Sequence, residues 1–172
     1  HGHHRRQRQM CIRDRSGRSK EISRLIGRSL RAVCNLGIIN GYSFTVDCDV
    51  LDADGGTRTA SVNGAWIALN DTFEKMIQEN KLNQNPLTSK VGAISVGIVA
   101  GELVADLDYE KDSNAEVDLN LVLDEKFEIL EIQGTAEGKP FPKEHLDQLF
   151  ELGKECIKAV SYTHLTLPTM MS

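Results

Sequence analysis

A mixed α/β (α+β) fold, with helices packed on sheets, is predicted by three observations. Stretches with helical periodicity, near 20–36, 57–80 and 143–158, are interleaved with strand-like runs in which apolar and polar residues alternate. Two pairs of those runs are joined by turns short enough for hairpins. Apolar content of 40%, with 26% charged residues, suits one packed domain. No apolar run reaches the roughly 18 residues that a membrane span requires, so no membrane partner is expected.

The two ends of the chain read differently from the middle. Gln9 to Arg15 (QMCIRDR) can be encoded by xAG ATG TGT ATA AGA GAC AGx, and Ala159 to Leu165 (AVSYTHL) by the reverse complement, xCT GTC TCT TAT ACA CAT CTx. An inverted DNA element translated at both ends, such as an adapter or transposon end, accounts for this. Residues 1–15 and 159–172 are therefore read as non-native scars and residues 16–158 as the domain. The Arg-rich start HGHHRRQRQ is then neither a targeting signal nor a metal site. The first scar carries five of the 20 basic and one of the 25 acidic residues, so the formal charge of the domain is −9 against −5 for the whole chain. Nucleic-acid binding would have to rest on a local basic patch. Between the scars, Cys34, Cys48 and Cys156 are few, odd in number and without a C-x-x-C spacing, which predicts reduced, buried thiols and a cytoplasmic location.

From Lys20 to about Leu36, Ile22, Leu25, Ile26, Leu30 and Val33 recur at helical spacing, and Lys20, Arg24, Arg28 and Arg31 fall on another face. Arg24, Arg28 and Arg31 are RNA-contact candidates, although a charge row on a helix is more often a solvated face or a set of ion pairs. Arg18 precedes the periodicity and is the better functional candidate. Tyr42 to Leu51 alternates Phe44, Val46, Cys48 and Val50 with Thr45, Asp47 and Asp49, which predicts a strand with a polar face. Its acids, with Asp52 and Asp54, suggest either a hard-cation site or plain solvent exposure. The next helix, from Thr57 to about Asn80, places Val62, Trp66, Leu69, Phe73, Met76 and Ile77 on one face. Gly64 within it weakens the helix by about 1 kcal/mol relative to Ala and suggests close packing there. Val91 to Val99 and Glu102 to Tyr109 predict a hairpin at Ala100-Gly101. Leu119 to Leu123 and Phe127 to Gln133 predict a second around Asp124-Glu125-Lys126, and Lys143 to Lys158 a last amphipathic helix.

The stretch DADGGTRTAS (Asp52 to Ser61) joins a strand-like run to a helix through two glycines. A helix start leaves backbone N–H groups unpaired at the positive end of the helix dipole, and these attract phosphate. Gly55 and Gly56 allow close backbone approach, Thr57 offers a hydroxyl, and Arg58 a guanidinium that fits two phosphate oxygens. The alternative is an ordinary strand-to-helix turn capped by Asp54. Asp112 and Asp118 form a second candidate site. Six residues apart, they would lie roughly 20 Å from each other in a straight strand, so they meet only if the chain turns at Ser113-Asn114. Such a pair suits Mg²⁺, which needs only one or two carboxylates beside substrate phosphates; one Asp acting as a general acid is the other reading. His145 is the only histidine between the scars, which leaves little material for Ser-His-Asp, Cys-His or His-rich zinc chemistry. Phosphoryl transfer by charge neutralisation and positioning fits the inventory best.

Five motifs now come into register: GRSKEISRLIGRSLRAV (17–33), FTVDCDVLDADGGTRTASVNGAW (44–66), AISVGIVAGE (93–102), DLDYEKDSNAEVDLN (106–120) and EIQGTAEGKPF (131–141). In this order the chain closely resembles the ribonuclease PH family, phosphate-dependent 3′-to-5′ exoribonucleases also called tRNA nucleotidyltransferases. The resemblance implies a ribonuclease PH-type fold, and phosphate binding by Arg18, Gly56, Thr57 and Arg58. It implies catalysis and Mg²⁺ binding by Asp112 and Asp118, trimming of precursor tRNA 3′ ends with release of nucleoside diphosphates, and a hexameric ring of dimers. Lys111 stands where the family usually has Glu, and Leu119 where Met is common. Family members also carry first strands and an Arg-rich segment ahead of the equivalent of Arg18, so a copy truncated at its N-terminus is expected. A non-catalytic RNA-binding ring subunit, or a metal-dependent hydrolase using the Asp47 to Asp54 acids, are the competing readings.

Overall fold

The computed structural model describes residue 17 and residues 19–165, with side chains to residue 159. Helix α1 occupies residues 19–32, and α2 Thr57–Gln78. Strands β1 (Val91–Val99) and β2 (Glu102–Ala105) form a hairpin, followed by the one-turn helix α3 (Tyr109–Ser113). Strands β3 (Val117–Asp124) and β4 (Ile129–Ala136) form a second hairpin, and α4 (Lys143–Leu165) completes the order.

The four strands make one antiparallel sheet in the order β2-β1-β3-β4. Because side chains alternate across a strand, β1 and β3 each present two different faces. Ile94, Val96, Leu119, Leu121 and Leu123 point to one face and pack with Leu149 and Ile157 of α4. Val91, Ala93 and Val122 point to the other and pack with Leu25, Ile26 and Leu30 of α1 and with Val62, Ala65 and Trp66 of α2. The result is three layers, with α1 and α2 on one side of the sheet and α4 on the other. Further along, the α1/α2 face turns polar. There the register sets Ser95 opposite Asn120 and Gly97 opposite Asp118. That change of character is what makes room for a site.

Where the elements depart from the sequence reading, local chemistry accounts for it. Helix α1 stops before Leu36 because the Asn35 side chain accepts a bond from Gly37 N (3.1 Å) while Asn35 N donates to Pro86 O, turning the chain away. Strand β2 ends at Ala105, not Tyr109, since Asp106 takes a left-handed backbone (φ 55°) and Asp108 caps α3. The strand expected over Tyr42 to Leu51 does not form. This segment has no regular secondary structure and pairs with no strand among the described residues. Alternation specifies which side chains seek burial, but it supplies no neighbour to complete a backbone ladder. Phe44 does find the core, packing edge-on against Phe73 (centroids 5.2 Å apart), whereas Val46 and Val50 stay exposed. Cys48 is likewise exposed rather than buried, and all three described cysteines are free thiols. Gly64 is not a close-packing position either: a Cβ there would meet nothing within 4 Å. No helix among the described residues is long and apolar enough to cross a membrane.

Candidate active site

The loop before α2 is built around two glycines with separate jobs. A Cβ on Gly55 would lie 1.7 Å from the backbone oxygen of Leu107, so only glycine lets the loop lie against the β2–α3 connection. Gly56 is the N-cap of α2 with φ 67°, a conformation that L side chains rarely adopt. No side chain caps the helix, and its first turn holds no acid. The open, positively polarised end of a 22-residue helix therefore faces the space beside Thr57 and Arg58. Asp54 is not the cap. Its carboxylate instead accepts a bond from Tyr109 N at 2.7 Å, fastening the loop to α3.

Helix α3 is what brings the two carboxylates together. Asp108 starts it by accepting from Lys111 N at 2.8 Å, and Asn114 ends it, so the chain doubles back between Asp112 and Asp118. Asp118, near the start of β3, then shares a cavity with Asp112. Burial raises the Asp118 pKa, the charge of Asp112 raises it further, Arg58 opposes them, and Glu137 adds a smaller upward push. The Oδ1 atom of Asp118 is buried with no hydrogen-bond partner among the described residues. A half-buried carboxylate with an orphaned oxygen and a second carboxylate beside it fits a divalent cation. Lys111 does not neutralise the pair, because its ammonium is held by Asp108. Among the described residues no group of three or more His, Cys, Asp or Glu side chains could hold a metal. Substrate oxygens and water would have to complete a coordination shell here.

Gly56, Thr57, Arg58, Asp112 and Asp118 all line one cavity of about 520 Å³. The phosphate-binding and carboxylate candidates are thus parts of one site. The Arg58 side chain is three-quarters buried; its Nη2 lies 3.5 Å from Glu21 Oε1, and its Nε is buried without a hydrogen-bond partner among the described residues. Glu21 is itself held by Gln133 Nε2 at 2.8 Å. Arg18 lies outside the described residues. Arg24, Arg28 and Arg31 are exposed on α1 and do not line the cavity, and Arg28 forms an ion pair with Glu131. The sequence reading missed Ser95, Asn120, Glu21 and the anchoring role of Asp54. The first two did leave a signal, since each is a polar residue on a strand face that is otherwise buried.

Domain 1 of the 3′ exoribonuclease family matches residues 3–73, and domain 2 of the same family matches residues 90–156. The chain belongs to this family. Among solved structures, an archaeal exosome core superposes on this 3′ exoribonuclease-family chain with a TM-score of 0.66 at 20% identity, covering 84% of it. Rrp46 of rice (Oryza sativa) gives 0.63 at 18% identity over 87%. The Archaeoglobus fulgidus exosome with RNA bound to the active site gives 0.63 at 17% identity over 86%. At these identities the likeness establishes the fold. The chain spans 62%, 65% and 61% of those three chains respectively.

Proposed function

We propose that this chain carries the site of a phosphate-dependent 3′-to-5′ exoribonuclease that trims the 3′ ends of precursor tRNA. The observation behind this reading is that the open N-terminus of α2, with Thr57 and Arg58, shares one cavity with Asp112 and Asp118. Anion-binding and cation-binding chemistry within one cavity suits phosphoryl transfer, in which positioning and charge neutralisation carry most of the catalysis. An oxygen of inorganic phosphate, held by Gly56, Thr57 and Arg58 with Arg18, forms a bond to the phosphorus of the last phosphodiester. The bond from that phosphorus to the 3′ oxygen of the preceding nucleotide breaks, that oxygen takes a proton, and a nucleoside diphosphate leaves. Run backwards, the same step adds a nucleotide. Mg²⁺, held by Asp112 and Asp118, would neutralise the charge that builds on the phosphate oxygens. One of the two carboxylates acting as general acid toward the departing oxygen is the alternative to both holding the cation. Assembly into a hexameric ring of copies in the cytoplasm belongs to the same reading.

Incubation with 3′-extended tRNA and Mg²⁺, with and without inorganic phosphate, tests the proposal through the released nucleotides. Diphosphates that appear only with phosphate are the expected result. Monophosphates released without phosphate would make the protein a hydrolase. RNA binding without release would make it a non-catalytic ring subunit. The hydrolase reading is the less favoured, because Asp47, Asp49 and Asp52 line a separate cavity of about 470 Å³ that takes in none of Arg58, Asp112 and Asp118; Asp54 alone of these acids lines both.

A further inference from the structure

Three buried side-chain atoms lack a hydrogen-bond partner among the described residues: Arg58 Nε, Asp118 Oδ1 and Ser95 Oγ. All three belong to residues lining the same cavity. Arg58 and Asp118 have roles in the reaction above, whereas Ser95 has none. It sits in the middle of β1 at 3% exposure, on the face where Ala93 and Val91 are core. A buried hydroxyl left unpaired costs stability, so alanine would be the better residue there if packing alone mattered. From Ser95 the strand runs toward the Gly55-Gly56 loop: the Cβ that Gly56 lacks would lie 3.3 Å from Ser95 Oγ. The hydroxyl is therefore directed at the uncapped N-terminus of α2. Asp106 Oδ1 also lies near that position, at 3.5 Å, but Asp106 does not line the cavity. Across the sheet Ser95 is paired with Asn120, itself 4% exposed, so the floor beneath the helix end is polar over two strands.

We propose that Ser95 is a further ligand of the inorganic phosphate, donating its Oγ–H to a phosphate oxygen from the sheet side while the α2 N-terminus and Arg58 hold the anion from the helix side. This rests on the phosphorolytic reading of the site. The donor is fixed in place before the anion arrives, and its bond to a charged acceptor is of the stronger kind. The proposal also explains a hydroxyl on a buried face with no hydrogen-bond partner among the described residues.

The test compares the intact chain with Ser95→Ala and Ser95→Thr, titrating inorganic phosphate and following the thermal midpoint. Wild type should be stabilised by phosphate, and Ser95→Ala should need about tenfold more phosphate for the same shift. Its midpoint without phosphate should be unchanged or higher. Where turnover is measurable, KM for phosphate should rise about tenfold with kcat and KM for RNA little changed, and Ser95→Thr, which keeps a hydroxyl, should recover part of the loss. An unaltered phosphate titration in Ser95→Ala, beside a phosphate-responsive wild type, overturns the role of Ser95 alone. A wild type indifferent to phosphate overturns the phosphorolytic reading and this inference together. A rise in KM for RNA with no change for phosphate would assign the hydroxyl to the RNA backbone and refute the proposal.

Discussion

Asp118 shows how a single residue can be set against the stability of its own fold. Burial and the neighbouring Asp112 hold its carboxyl above the ordinary aspartate value, so ionisation is harder in the folded chain than in the unfolded one. The linkage has a definite sign. Stability from the neutral acid is fully present below the unfolded pKa and is lost as pH rises through the raised folded pKa. Asn keeps nearly the same shape and cannot ionise. Without metal, Asp118→Asn should therefore melt higher than wild type near pH 7.5, and the two should converge near about pH 3, where both side chains are neutral. The same variant should lose turnover while keeping its response to phosphate at Arg58. Thermal melts across pH decide the stability part: a variant that melts lower at neutral pH would show that the ionised carboxylate has a stabilising partner. This cost at a site residue is the trade expected where function needs an unpaired charge.

At the scale of elements, the fold depends on contacts that close gaps between strands and helices. Strand β2 covers β1 only from Val96 to Val99, which leaves the outer edge of β1 bare at Ala93. Asn63 of α2 fills the gap, donating Nδ2 to Ala93 O (2.9 Å) and accepting from Ala93 N at Oδ1 (2.8 Å), much as a neighbouring strand would. Asn63→Ala should cost about 2–3 kcal/mol, because it leaves a backbone donor and acceptor of a buried residue unpaired. A denaturant melt measures this, and a loss within about 0.5 kcal/mol would mean that water takes over both bonds. The same contact shows why part of the structure could be read in the sequence and part could not. Helices α1, α2 and α4, both hairpins and the turn between Asp112 and Asp118 were legible because periodicity and turn chemistry are local. Asn63 meets Ala93 at a separation of 30 residues, and Asp54 meets Tyr109 at 55. Ser95 faces Asn120 only through the β1–β3 register. No local pattern encodes those meetings. The segment from Tyr42 to Leu51 failed for the converse reason, since its local pattern was that of a strand but no neighbouring strand among the described residues pairs with it.

For the molecule as a whole, the difficulty is charge. A chain with a formal charge of −5 repels a polyanion at long range, so on the proposed exoribonuclease reading an RNA substrate has to be drawn by a local field. The exposed row Lys20, Arg24, Arg28 and Arg31 along α1 is the feature that could supply one, and α1 also delivers Ile22 to the cavity wall and Glu21 to Arg58. A strand whose 3′ end enters the cavity could thus lie along α1. The three arginines are not equivalent, because Arg28 is already paired with Glu131, whereas no ion pair is recorded for Arg24 or Arg31 among the described residues. Each phosphate neutralised on a single strand contributes about −0.7 to the slope of log K against log salt. With Lys20, Arg24 and Arg31 each neutralising one phosphate, wild type should give a slope of about −2, and the double variant Arg24→Ala/Arg31→Ala should reduce its magnitude by about 1.4. Arg28→Ala should weaken binding with little change in slope, since Arg28 is already paired and its loss leaves the Glu131 carboxylate unpaired beside the RNA. Fluorescence anisotropy with a short single-stranded RNA, over a series of salt concentrations, gives these slopes directly. A slope unchanged in the double variant would take the RNA path off α1 and leave the row as a solvated helix face.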